Sequence, residues 1–221
     1  MYEERTVPEK LIMLPSSKDY VKDDSHDPLR FYYYPVLGPL YRKRVEMSLD
    51  LLPGGDAVLE VGFGSGVSLP SLNTKYKELH GIDLKSDCGS VKDCFSKRGI
   101  QANLIDGSVT QMPYEDEKFD AVFLVSILEH LLPQDLQSAF QEIRRVLRPG
   151  GVVVYGVPVE RPLMVTAFKM MGYDIRTHHF STEKQVEAAA KNYFAPREKK
   201  VLHALGIPAL AVYEAQLFSK N

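Results

Sequence analysis

Strong net charge, cysteine pairs at metal-binding spacing and long apolar runs are all missing from this sequence. Its 27 basic and 29 acidic residues among 221 leave a formal net charge of −2, so no global positive field draws the chain to nucleic acid or anionic lipid. A local basic patch remains compatible with that balance. No stretch approaches the roughly 20 consecutive apolar residues that cross a bilayer as a helix. The opening Met1-Tyr2-Glu3-Glu4-Arg5 has no apolar centre of the kind a secretory signal needs. A cytoplasmic location without a transmembrane segment is therefore expected. Cys88 and Cys94 stand six apart with no neighbouring Cys or His at ligand spacing, which reads as two ordinary thiols.

What is present is an ordinary globular mix, 44% hydrophobic and 25% charged. After a polar, irregular first 27 residues comes an aromatic cluster, Phe31-Tyr32-Tyr33-Tyr34, and then a helical pattern from Gly38 to Leu52. From there strands and helices alternate. Strands are expected at Ala57–Val61, Leu79–Leu84, Ile100–Ile105, Phe119–Val125 and Val152–Val157. Helices are expected at Val67–Tyr76, at Val91–Arg98 and from Pro133 to about Leu147. In the last of these, Leu136, Phe140, Ile143 and Leu147 form one stripe, and Pro149-Gly150-Gly151 ends it. A helix over Thr182–Asn192 precedes two final strands, Lys199–Ala204 and Leu210–Ser219, whose short link favours an antiparallel pair at the sheet edge. Alternation of this kind implies right-handed crossovers and an α/β fold, a doubly wound and mostly parallel seven-stranded sheet with an antiparallel edge strand. Residues 1–52 read as an N-terminal extension and helix able to act as a lid. Residues 53–221 read as the main domain, with 158–182 an insertion on the substrate side.

The sharpest motif is Val58-Leu59-Glu60-Val61-Gly62-Phe63-Gly64-Ser65-Gly66, a strand ending in an acid and then a glycine-alternating turn into a helix. Glycines suit a tight turn that lets a ligand approach bare backbone. Many nucleotide sites share such a turn, and a plain strand-to-helix turn is the bland reading. Gly81-Ile82-Asp83-Leu84 follows 17 residues after the loop closes, and an acid at the tip of the second strand is placed to accept ribose hydroxyls. Alone, that Asp reads equally well as a helix cap. The pair at this spacing favours a nucleoside site.

With these motifs the chain resembles the class I S-adenosylmethionine-dependent methyltransferases, especially the group acting on small molecules and lipids. The resemblance runs from about Ala57 to Val157. It also takes in Gly107 to Tyr114, Phe119-Asp120-Ala121-Val122, Leu128-Glu129-His130 and Arg145 to Gly151. It implies a Rossmann-like fold and S-adenosyl-L-methionine as cofactor, with S-adenosyl-L-homocysteine as product. It places Glu60 near the methionine ammonium and the backbone of Gly62, Phe63 and Gly64 along the methionine part. Asp83 would bind the ribose and Leu84 would pack on adenine, with Gly107 and Ser108 beside it. Ser126 and Ile127 would line the pocket near the sulfonium. One departure stands out: the family carries Asp where this chain has Ser108, with Asp106 two residues earlier. A serine would offer adenine a neutral hydrogen bond rather than a charge-assisted one. Phe63, larger than usual between the first two glycines, either narrows the methionine pocket or packs beneath the loop.

On the acceptor side the reading is thinner. In-line methyl displacement needs alignment more than a base, so no catalytic residue need be visible. His130, with Glu129 to orient it, is the catalytic candidate; a surface or capping histidine is the plain alternative. His178-His179 lack an apparent third ligand, so no metal is expected. The methionine-rich stretch Arg161–Arg176 suits a flexible apolar substrate or packs as a core helix. The aromatic cluster is a lid or a packed strip. The expected function is S-adenosylmethionine-dependent methyl transfer to an O, N or C atom of a small or lipid-like molecule. Methylation of protein or RNA, or a non-catalytic regulatory role, stays open. An NAD-dependent oxidoreductase fits less well, because Val67 stands where the dinucleotide fingerprint has its last glycine. Acceptor atom and oligomeric state leave no mark on the sequence.

Overall fold

The structure, a computed structural model, describes residues 28–35, 37–159, 179–203, 207 and 210–221. The residues before 28 and the stretch 160–178, which carry the expected N-terminal extension, His178 and the methionine-rich segment, lie outside the described residues.

The elements are α1 (Leu37–Leu49), β1 (Gly55–Val61), α2 (Leu69–Leu72), β2 (Tyr76–Asp83), α3 (Cys88–Ser96), β3 (Ala102–Asp106), β4 (Phe119–Val125), α4 (Pro133–Val146), β5 (Leu147–Pro158), α5 (Glu183–Lys191), β6 (Ala195–His203) and β7 (Ala211–Ser219). Seven strands form one sheet in the order β3-β2-β1-β4-β5-β7-β6. The first five pair in parallel. The expected antiparallel hairpin closes one side, with β7 running antiparallel between β5 and β6.

Alternation along β1 shows how the sheet separates two cores. Val58 points into a cluster with Val45, Leu49, Leu69 and Phe95, so α1, α2 and α3 cover that face. Leu59 and Val61 point into the other cluster, with Leu136, Phe140, Ile143, Val186 and Ala190 of α4 and α5. Both faces being covered explains why β1 and β4 are apolar through their centres instead of alternating with polar residues. Helix α4 follows its expected stripe: Leu136, Ala139, Phe140, Ile143 and Val146 are buried, with Pro133 in the first turn and Arg144 and Arg145 in the last. Burying each large apolar side chain is worth about 1.5–3 kcal/mol. Helix α5 begins in a full capping box between Thr182 and Gln185.

One expected helix is much shorter than its pattern. Residues 67–76 contain only the four-residue α2, because Pro70 cannot extend a helix backwards and Thr74 and Lys75 close turns onto Ser71 and Leu72. Tyr76 already lies in β2, paired with Gly55. The strand thus starts three residues before the expected Leu79.

The first five strands leave a break in winding order between β1 and β4. Ligands of open α/β sheets bind beyond the carboxyl ends of strands at such a point. The aromatic cluster sits next to it: Tyr32 is buried, and the rings of Phe31 and Tyr32 lie 5.2 and 5.7 Å from that of Tyr41 on α1. That contact packs the cluster on α1.

Candidate functional site

The loop after β1 is held from three sides. Gly62 N–H donates to Ile82 O at 2.8 Å, extending the β1–β2 ladder one residue beyond the strand. Gly64 N–H donates to Asp83 Oδ2 at 3.0 Å. From the β4 side, Ile127 lies directly over Gly62: a Cβ there would stand 2.0 Å from Ile127 Cδ1, and the φ of +72° is one that side chains rarely adopt. Only glycine fits. The turn therefore exposes bare backbone across the winding break.

Glu60, near the end of β1, is buried beneath this turn. One carboxyl oxygen accepts from the Ser68 hydroxyl, and the other, Oε2, has no partner. Burial pushes its pKa up to about 8; the Ser68 hydroxyl pulls it down, and the nearby Asp83 charge adds to the rise. A buried acid with an unpartnered oxygen is unfavourable alone and well suited to a cation. Ser68, eight residues on, is a site residue that sequence reasoning missed. Its signal is faint, a serine ahead of Leu69-Pro70.

Asp83, expected to bind ribose, is engaged with the loops around it. Beyond Gly64, its Oδ1 accepts from Lys85 N at 2.9 Å and Ser86 N at 3.0 Å. Three of roughly four lone-pair positions are thus committed to shaping the loops, which leaves about one for a ligand hydroxyl. Leu84 beside it is 68% exposed, an apolar side chain free to cover a planar ring. Phe63 is packed rather than obstructing: it is buried, and a Cβ on Gly81 would come within 2.7 Å of its ring, so it lies under β2 beside Leu104.

Gly107 N–H donates to Asp83 O at 2.9 Å, which brings the loop after β3 to the same edge. Arg145 pins that loop from α4 by donating to Met112 O and Tyr114 O at 2.8 and 2.7 Å. Ser108 Oγ pairs with Thr110 Oγ1 at 2.8 Å and accepts from Thr110 N at 3.2 Å, a local serine turn. Asp106 stays exposed and accepts from Cys88 Sγ.

Beyond β4 the chain makes a strained corner. Ser126 has φ of +57°, the left-handed region, which costs a non-glycine residue about 1–3 kcal/mol. The corner aims Ser126 Oγ at Tyr213 OH, 3.2 Å away. The Tyr213 ring lies 5.2 Å from the Arg44 guanidinium, which sits 4.1 Å above the ring of Tyr41. Buried Glu129 follows. Burial lifts its pKa to about 7, against its own amide and the charges of His179 and Arg44, and its Oε2 has no partner. Phe180 N and Ser181 N both donate to Glu129 O, at 2.8 and 3.2 Å, and Ser181 Oγ donates to Leu131 O at 2.7 Å. These bonds hold His179 beside His130, with ring centroids 5.3 Å apart. One ligand atom each from Glu129, His130 and His179 lie within 4.8 Å of one another. Sequence spacing pairs Glu129 with His130 but gave no sign of Arg44, Tyr213 or the approach of His179, because those partners are brought together only by the fold.

Two shallow surface hollows of about 360 and 330 Å³ among the described residues lie elsewhere. One is beside Met47 and Lys200 and the other beside Tyr193 and Phe194.

Comparison with known proteins agrees with this geometry. Residues 59–155 match the methyltransferase domain family. The chain is 30% identical over 159 residues to YdaC, an uncharacterized methyltransferase of Bacillus subtilis, covering 62% of this chain and 83% of that protein. It is 35% identical over 104 residues to a fatty-acid O-methyltransferase of Mycolicibacterium smegmatis, covering 46% of this chain but only 36% of the relative. Among solved structures, a geranyl diphosphate methyltransferase in complex with geranyl diphosphate and sinefungin superposes with a TM-score of 0.68, at 18% identity, over 85% of this chain and 81% of that one.

Proposed function

Because this chain belongs to the S-adenosylmethionine-dependent methyltransferases of class I, we propose that it moves the methyl group of that cofactor to a small or lipid-like acceptor. The observation that carries the reading is Glu60: a buried carboxyl group with an unpartnered oxygen, directly under a bare glycine turn clamped by Asp83. A phosphate-bearing dinucleotide would find no positive group there, whereas an ammonium and a sulfonium would favour the ionised form of the acid. The residues fit the cofactor.

When bound, S-adenosylmethionine supplies a methyl group already activated by its positive sulfur. Everything else falls to this chain. Glu60 holds the ammonium, the Gly62–Gly64 backbone follows the methionine part, Asp83 takes a ribose hydroxyl and Leu84 covers adenine. Ser108, already engaged with Thr110, leaves adenine held more by packing than by charge. Ser126 and Ile127 wall the sulfonium end and keep water from it. Alignment of this kind is worth about 7–11 kcal/mol of barrier. His130 stands exposed beyond β4, placed to receive a proton from an O or N acceptor. The names of the fatty-acid and geranyl diphosphate enzymes support an apolar small acceptor, and the near-neutral charge counts against RNA.

Calorimetry with S-adenosylmethionine, S-adenosylhomocysteine and NAD tests the site. Both sulfur nucleosides bind and NAD does not; binding of NAD alone refutes the proposal. Labelled-methyl transfer into small-molecule and lipid fractions of a cell extract, rather than protein or RNA fractions, tests the acceptor class.

A further inference from the structure

We propose that Glu129, His130 and His179 form a binding site for a divalent transition-metal cation at the acceptor side of the cleft. Among the described residues, the three donors converge from two strands of chain about fifty residues apart, and their ligand atoms lie within 4.8 Å of one another. In a tetrahedral zinc site, ligand atoms about 2.0–2.1 Å from the metal stand roughly 3.3 Å from one another. Binding therefore requires side-chain rotation to draw the donors together, most readily at the exposed His130.

Two further observations separate this trio from a chance surface cluster. The first is Glu129 itself: it is 3% exposed, and its Oε2 is buried without a hydrogen-bond partner. An acid in that state is costly to keep unless something positive meets it. The second is the supporting frame. Phe180 N and Ser181 N fix the Glu129 carbonyl, and the Ser181 hydroxyl fixes that of Leu131, so the histidine arriving from the far segment is held in place by backbone bonds. Hydrogen-bonded outer support of this kind orients first-sphere ligands.

Two imidazoles and one carboxylate suit zinc, iron(II), cobalt or nickel, and suit the oxygen-seeking magnesium and calcium poorly. Three protein ligands also leave coordination positions open. Glu129 and His130 follow Ser126 and Ile127 in the segment beyond β4. Resting on the methyl-transfer reading, the open positions would take an oxygen-bearing acceptor and lower the pKa of its hydroxyl, the role otherwise left to His130 as a base.

The test uses full-length protein with any histidine tag removed and metal stripped by chelation. Titration with cobalt(II) is followed by visible absorption, and zinc(II) is then added as a competitor. The site gives one cobalt per chain with ligand-field bands that zinc abolishes. His130→Ala and His179→Ala each weaken binding at least tenfold, the low end of what losing even an outer-sphere partner costs. His203→Ala on β6 serves as a control and leaves binding unchanged. His130→Ala removes an exposed side chain, so its fold survives even if a variant at buried Glu129 does not. No stoichiometric band, or equal affinity in the His130 and His179 variants, overturns the inference. Nucleoside calorimetry on the same samples keeps the two proposals apart, because loss of the metal site leaves S-adenosylmethionine binding measurable, and the reverse.

Discussion

Replacing Glu60 by Gln separates its burial as an acid from the cation binding proposed for it. The carboxyl group has an ordinary value of 4.5 in the unfolded chain and about 8 in the fold, chiefly from burial. Because the folded value is the higher, the fold binds the proton more tightly, and stability is greatest below pH 4.5. It falls as pH rises from there to about 8, then levels off. At pH 7 the interval above 4.5 costs the fold about 3 kcal/mol, at 1.36 kcal/mol per pH unit. Glutamine has nearly the same shape and no charge to desolvate, and it can still accept from Ser68. The variant should therefore melt roughly 6–12 °C higher at pH 7 without ligand, given about 2–4 °C per kcal/mol for a domain of this size. At pH 5 the gain should nearly vanish. Thermal denaturation from pH 5 to 8 measures it. The same substitution removes the partner for a cation, so added S-adenosylmethionine should raise the melting point of the parent but barely that of the variant. Parallel melting curves across that pH range, or a Gln variant that keeps full ligand stabilisation, would refute the placement of a buried, cation-binding carboxyl group.

Other outcomes follow from the same geometry. Asp83→Ala removes three backbone clamps together with the proposed ribose contact, so S-adenosylmethionine affinity should fall at least tenfold by calorimetry, while Asp83→Asn, keeping one acceptor oxygen, should fall less. Phe140→Ala hollows the α4–sheet core at a fully buried ring and should cost about 3–5 kcal/mol in urea denaturation, without changing cofactor affinity in the protein that remains folded.

Legibility followed locality. Strand β4 and the start of α4 lie where residue pattern alone placed them, because a continuous apolar run and a proline-led stripe have few other solutions. The segment 67–76 was harder, since its spacing suits a helix while Pro70 and the turns after it suit a short one. At the site, the glycine turn, Glu60 and Asp83 could be read because the motif is contiguous. The clamp role of Asp83 could not, because it depends on how two loops cross. His130 and His179 stand 49 positions apart, and nothing in either neighbourhood names the other. Their approach is a product of backbone bonds made after the sheet has formed.

The order of strands also bears on how the molecule is made. Strand β7, drawn from Ala211–Ser219, lies inside the sheet and pairs along the whole of β5 from Val152 to Pro158. A ribosome releases it only after every other element of the fold. Until then the edge of β5 remains open, next to Tyr155 and its future stacking partner Phe218. Unpaired edges of that kind attract other chains. Late synthesis is therefore the moment of greatest exposure to aggregation, and chaperones have most to protect there.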